Sequence, residues 1–322
     1  MEAAQVIFFL LLGLALIVIG ADKLVDGASS IARHFHISEF VIGMTIVGIG
    51  TSAPELVVSL VGALEGNADI AVGNVVGSNT INSLFGLGIS ALIFPLLITR
   101  GNRLVDLPMH LGFTALVFGL GMTGMLLGFG DNTLSRIDAA ILLLAFVGYI
   151  WYHLRHGRTS KEEAEEAGGK VFPVWAAVLM MGLGILALIF GGRLFVNSAT
   201  HLARMLGASD KFIAITVLAI GTSLPELATS FVAAAKHRGQ LALGNIIGSN
   251  IFNLLLILGI SGVLTPLSFS GMDRADALVL LVASVLLVTA SWTGRNRKLD
   301  RFDGALLLLT WLGYMTWLIY HL

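Results

Sequence analysis

The chain predicts an all-α polytopic membrane fold: ten transmembrane helices arranged as two inverted five-helix repeats. Three observations carry that expectation. Mean hydropathy is +0.90, with 56% apolar and only 12% charged residues, whereas about a quarter of a soluble domain is charged. The apolar residues fall in helix-length blocks rather than short alternating strands, which excludes an outer-membrane barrel. Two polar motifs return at a constant offset of 171 residues. Gly50-Thr51-Ser52-Ala53-Pro54-Glu55 recurs as Gly221-Thr222-Ser223-Leu224-Pro225-Glu226, and Gly73-Asn74-Val75-Val76-Gly77-Ser78-Asn79 as Gly244-Asn245-Ile246-Ile247-Gly248-Ser249-Asn250.

The spans follow in order. Five residues without Lys or Arg precede the first apolar run, so Val6–Gly20 reads as a spanning helix rather than a cleaved signal peptide. Further segments long enough to cross the hydrocarbon core lie near Phe40–Leu64, Ile70–Leu97, Leu104–Leu126 and Leu134–Leu154. The second half supplies Phe172–Asn197, Phe212–Ala235, Leu241–Leu264, Ala275–Thr293 and Phe302–Leu322. The second, third, seventh and eighth spans carry the motifs and exceed a straight crossing, so breaks or tilt are expected in them.

Charge orients these spans. Of the 19 Lys and Arg, fourteen fall in the loops after odd-numbered helices and five (Arg136, Arg193, Arg204, Lys211 and Arg274) on the other side. The positive-inside bias puts the odd loops in the cytoplasm and both termini outside. Because the repeat offset covers five helices, an odd number, the second copy enters from the opposite side. The expected organisation is residues 1–154 as the first half, 155–170 as a cytoplasmic linker and 171–322 as the second half. Within the linker, Lys161-Glu162-Glu163-Ala164-Glu165-Glu166 lacks calcium-loop spacing and reads as a solvated connector.

Composition also removes function classes. With no Cys there are no disulfides, thiol ligands or thiol redox chemistry. A formal charge of −1 gives no reason to expect a nucleic-acid partner. No cofactor, enzymatic activity or obligate protein partner is expected, and the surroundings are a plasma or inner membrane bilayer.

The duplicated motifs place oxygen ligands in apolar segments. Thr51 and Ser52 lie four and three residues before Glu55, so both hydroxyls can stand on its helical face. Pro54 lacks an amide hydrogen and disturbs the preceding turn, which is expected to free carbonyls such as those of Gly48 and Ile49. Thr222, Ser223, Pro225 and Glu226 repeat the arrangement, with the carbonyl of Ala219 matching that of Gly48. Ser78 and Asn82 share a face, as do Ser249 and Asn253, with Asn74 and Asn245 one turn earlier. Asn79 and Asn250 point elsewhere and are expected to cap or cross-link helices. The Gly73–Gly77 and Gly244–Gly248 pairs suit tight helix crossing.

Hydroxyls, carbonyls and carboxylates are the hard ligands that calcium or sodium requires. A carboxylate near the bilayer centre costs about 3 kcal/mol on insertion scales, and this chain bears that cost twice. No Lys or Arg lies in the apolar parts of the motif helices to neutralise it. A bound cation is the simplest compensation. Polar, glycine-rich breaks in matching segments of two halves indicate a midplane ion site in a secondary transporter. Asp22 and Asp26, at the cytoplasmic end of the first helix, suit either an attracting vestibule or a solvated helix end. Asp69 has Gln240 as its repeat position and cannot belong to a symmetric site. No histidine is assigned a metal.

Four motif halves in order, spanning essentially the whole chain, resemble the calcium/cation antiporter superfamily in its sodium/calcium exchanger branch, of prokaryotic type without a regulatory domain. The resemblance implies ten transmembrane helices with the second, third, seventh and eighth around the ions, and several sodium ions exchanged per calcium. It implies ion ligands at Thr51, Ser52, Glu55, Ser78, Asn82, Thr222, Ser223, Glu226, Ser249 and Asn253, with the Gly48 and Ala219 carbonyls. Several members have aspartate where this chain has Asn253, leaving two carboxylates here rather than three. The expected function is antiport of sodium and calcium by alternating access. The alternative is a calcium/proton antiporter, and a passive cation channel ranks below both.

Overall fold

The computed structural model describes residues 3–128, 131–157, 171–207, 219–293 and 298–321. Its long helices are α1 (Ala3–Phe35), α2 (Glu39–Thr51), α3 (Ala53–Leu64), α4 (Ala68–Ile93), α5 (Asn102–Gly121) and α6 (Arg136–His156) in the first half. The second half has α7 (Val174–Met205), the short α8 (Ala219–Gly221), α9 (Leu224–Ala235), α10 (Gly239–Leu264), α11 (Arg274–Thr293) and α12 (Arg301–His321). Among the described residues, eight helices are long and apolar enough to cross a bilayer, and the bent pair α2–α3 makes a ninth. Helix α9 is the described C-terminal part of the seventh expected span. Residues 212–218 of that span, and the acidic linker stretch 161–166, lie outside the described residues.

The inversion is visible where equivalent helices meet. Gly13 of α1 packs against the Gly191 carbonyl of α7, Gly20 against that of Gly184, and Gly27 against that of Ala177. Positions rise along one helix as they fall along the other, so repeat-equivalent helices run antiparallel. A Cβ at any of these glycines would meet the facing backbone within 3 Å. Their absence of side chains is what lets the helices approach so closely, as small residues do in membrane interfaces.

The motif helices α4 and α10 are the most buried spans. The last helix of each half clasps the motif helix of the other. Gly88 of α4 lies against Gly304 and Leu308 of α12, and Gly259 of α10 against Ala139 and Leu143 of α6. Two short antiparallel ribbons tie the same partners outside the helices. β1 (Leu96–Leu97) pairs with β4 (Lys298–Leu299), and β2 (Thr133–Leu134) with β3 (Leu267–Ser268).

Several boundaries differ from the sequence reading. Helix α1 continues past Gly20 through Asp22 and Asp26 to Phe35, because both carboxylates find Lys236 at 2.6 Å and need no surrounding loop. Helix α7 likewise runs on to Met205. The fourth span ends at Gly121, with a short separate helix, Thr123–Leu127, after it.

Candidate functional site

Both halves build the site with the same local break. Helix α2 stops at Thr51; Ser52 leaves helical geometry at φ −80°, ψ 9°, and α3 restarts at Ala53 with Pro54 in its first turn. The axes of α2 and α3 differ by 51°. Ser223 repeats the break at φ −83°, ψ 0° before α9, with Pro225 in the first turn. Proline is favourable there because its missing N–H would have no partner at a helix start. Glu55 and Glu226 thus sit in the first turns of α3 and α9, the end of a helix that favours negative charge.

Each glutamate is held by the opposite half. The Ser52 hydroxyl donates to Glu226 Oε1 at 2.8 Å, and the Ser223 hydroxyl to Glu55 Oε1 at 3.4 Å. The Thr51 hydroxyl also lies against Glu226, and that of Thr222 against Glu55. The two carboxylates are near enough for their charges to interact. Both side chains are fully buried, and Oε2 of each has no hydrogen-bond partner. Among the described residues no Lys, Arg or His pairs with either one. Two buried carboxylates, each with an unsatisfied oxygen, leave a charge deficit that a cation or a proton would offset.

Asparagines brace this centre symmetrically. Asn245 donates to the Glu226 carbonyl at 3.1 Å and to the Ser230 hydroxyl at 2.9 Å, and accepts from Thr51 at 3.3 Å. Asn74 does the same with the Glu55 carbonyl at 3.2 Å, Ser59 at 3.0 Å and Thr222 at 3.5 Å. Each asparagine therefore fixes the glutamate-bearing turn of its own half while receiving the threonine of the other. Ser59 and Ser230 went unassigned in the sequence reading, although they too are 171 residues apart and so carried the same repeat signal.

The α4 and α10 helices widen into π-helical turns at Ile81–Gly86 and Phe252–Ile257, which contain Asn82 and Asn253. Such turns are frequent at functional sites because they re-aim a side chain. Asn82 donates to Asn250 Oδ1 at 3.3 Å, and Asn253 to Asn79 Oδ1 at 3.0 Å. Asn79 also donates to the Asn250 carbonyl at 3.0 Å, making the expected cross-link between helices. These bonds use the amide NH2 groups of Asn82 and Asn253. Their buried Oδ1 atoms are left without a partner.

Ser249 donates to the Gly48 carbonyl at 3.4 Å, and Ser78 is buried on α4. Thr222 is half-buried, and Ala219 opens α8. One element of the sequence reading needs correction: Pro54 does not free the Gly48 carbonyl, which accepts from the Ser52 amide at 3.0 Å and from the Thr51 hydroxyl at 3.3 Å. The helical partner that Pro54 removes is that of the Gly50 carbonyl, four residues earlier.

Access is unequal on the two sides. Gly244 and Gly248 of α10 are buried, with a Cβ at either position blocked by the Phe40 or Met44 backbone of α2. Their equivalents on α4 differ: Gly73 is exposed and Gly77 half-buried, and Asn74 is half-buried where Asn245 is buried. Among the described residues the α2–α10 side is closed and the α4 side is the more accessible one; residues 210–218, the repeat equivalent of the covering part of α2, lie outside them.

A second buried polar cluster is only partly repeated. Asp106 lies 2.9 Å from His153 Nε2 and accepts from Asn102 at 2.9 Å and Tyr149 at 3.4 Å, while Gln240 donates to Asn102 at 2.9 Å. It joins α5, α6 and α10. The Tyr149–Asp106 bond has a counterpart between α12 and α11, where Tyr314 donates to Asp276 at 2.7 Å. The cluster lies outside the motifs that recur at 171 residues, and it went unassigned in the sequence reading.

Comparison with known proteins agrees with this architecture. The sequence profile described as "Sodium/calcium exchanger protein" matches residues 5–155 and 176–320. A putative antiporter, CaxA, of Alkalimonas amylolytica is 36% identical over 95% of this chain and 96% of its own length. The sodium/calcium exchanger MaX1 of Methanosarcina acetivorans is 30% identical over 97% of each chain. A solved structure of the sodium-calcium exchanger NCX_Mj, soaked with 10 mM Na+ and no Ca2+, superposes with a TM-score of 0.83 at 31% identity, covering 98% of this chain and 99% of that one. The inverted halves, the paired Gly-Thr-Ser-x-Pro-Glu breaks and these matches agree: the chain belongs to the sodium/calcium exchanger family.

Proposed function

We propose that this integral membrane protein is a secondary antiporter that exchanges sodium for calcium by alternating access. The two halves are residues 1–154 and 171–322, joined by a cytoplasmic linker at 155–170, with both termini outside. One observation carries the reading: two fully buried glutamates, each tied to the other half's serine and each with an oxygen lacking a donor. Two negative charges match one divalent ion, and calcium takes six to eight oxygens. Glu55, Glu226, Thr51, Thr222 and the Gly48 and Ala219 carbonyls would supply that shell. Sodium would use Ser52, Ser223, Ser78, Ser249, Asn82 and Asn253, whose amide oxygens at 82 and 253 are unpaired. Shared carboxylates make the ions competitors, so exchange needs no separate coupling device.

Vectorial exchange further requires the loaded site to change sides more easily than the empty one, since a ligand shifts an equilibrium only through unequal affinity for its states. Loading cancels the carboxylate repulsion, and emptying restores it. The test is calcium flux into proteoliposomes with sodium, potassium and pH varied independently. A sodium gradient is expected to drive calcium uptake at clamped pH. Uptake driven only by a proton gradient would replace sodium with protons as the exchanged ion.

A further inference from the structure

The closed side carries a cluster of ion pairs outside the ion site. Lys236, which follows α9, reaches Asp22 and Asp26 of α1 at 2.6 Å each and also donates to the Asp22 carbonyl at 3.2 Å. Arg238 pairs with Glu39 at 3.1 Å, linking the start of α10 to the start of α2. These contacts join elements of opposite halves on the side where α2 seals against Gly244 and Gly248.

The repeat offset identifies the equivalents of the central pair. Asp22 corresponds to Arg193 on α7, and Lys236 to Glu65 at the end of α3. The sign is reversed at both positions, so the equivalent pair is again attractive. Both residues are exposed, on the more accessible side, and among the described residues neither has an ion-pair partner. In a protein of inverted halves, the opposite state is reached when each half takes up the arrangement the other now holds. The Asp22–Lys236 contact then maps onto Arg193–Glu65.

We infer that Glu65 and Arg193 are the ion pair of the second gate, formed when the accessible side closes and the Asp22–Lys236 contact parts. Asp26 and Arg238 correspond to the uncharged Asn197 and Asn67, so Glu65–Arg193 is the one of the three pairs whose opposite charges the repeat preserves. The inference rests on alternating access but not on which ions are exchanged.

Because the chain has no Cys, cysteine pairs report it directly. Asp22→Cys with Lys236→Cys, and separately Glu65→Cys with Arg193→Cys, are introduced into the full-length protein in proteoliposomes. A short bifunctional methanethiosulfonate, which joins two thiols through reducible disulfides and releases sulfinate, is added during sodium/calcium exchange. Both pairs should cross-link, each cross-link should abolish flux, and reductant should restore it. Failure of the 65–193 pair to cross-link while the 22–236 pair does, or unimpaired flux after it has, would overturn the inference. Charge exchange gives an independent readout. Glu65→Lys should lower flux and Glu65→Lys with Arg193→Asp should recover it; a double variant no better than the single would also overturn it. Cross-linking of both pairs in a protein that moves no calcium would support the gate pair and sink the ion assignment instead.

Discussion

Replacing Ser52 with alanine separates the two ions at a single atom. Its hydroxyl donates to Glu226 Oε1 at 2.8 Å, fully buried. A hydrogen bond to a charged group contributes about 1.5–3 kcal/mol, and each 1.4 kcal/mol is about tenfold in affinity. The bond stabilises the empty carboxylate, so its loss cannot weaken a calcium ion held by the carboxylates themselves. Sodium, by contrast, loses the hydroxyl oxygen that would coordinate it. Ser52→Ala should therefore raise the sodium concentration for half-maximal exchange by roughly tenfold or more and leave the calcium requirement unchanged or lower. Ser223→Ala should disturb its partner carboxylate less, because its contact to Glu55 is 3.4 Å. Calcium uptake into proteoliposomes, titrated with each ion separately, gives both constants. A tenfold rise for calcium with sodium unaffected would refute the division of ligands.

Three further outcomes follow from the packing. Asn245→Ala removes two donated bonds and Asn74→Ala the matching two; at about 1 kcal/mol per bond, each should lower the melting midpoint and slow exchange. Gly244→Ala puts a methyl group onto the Phe40 backbone, whereas Gly73 is exposed, so thermal melts should show a large loss for the first and little for Gly73→Ala. Asp106→Ala leaves Asn102 and Tyr149 without their shared acceptor. It should cost about 1–3 kcal/mol, seen as a lower denaturation midpoint with ion half-saturation unchanged in the folded fraction.

What the sequence discloses depends on whether the relevant force is local or repeated. The breaks at Ser52 and Ser223 were legible because proline acts on its own helix. The reach of α1 to Phe35 was not, because Asp22 and Asp26 suited either a vestibule or a solvated helix end, and their partner Lys236 comes from the other half. Duplication is what put forward the candidate ligands, marking Glu55 with Glu226 and Asn82 with Asn253. The π-helical turns beneath Asn82 and Asn253 carried no composition signal. The antiparallel contact of α1 and α7 was written in Gly13, Gly20 and Gly27, yet those glycines acquire meaning only with Gly191, Gly184 and Ala177 opposite. Asp106 and His153 lie outside the motifs that recur at 171 residues, so they read as ordinary polar residues near a membrane surface.

The central claim is that Glu55 and Glu226 together hold one cation. Calcium titration calorimetry on the purified, detergent-solubilised protein, beside Glu55→Gln and Glu226→Gln, tests it most directly. One calcium per chain should bind to the parent protein, and saturable binding should vanish in either variant while both keep the parent's melting profile. Undiminished calcium binding by the variant carrying both substitutions would contradict the account.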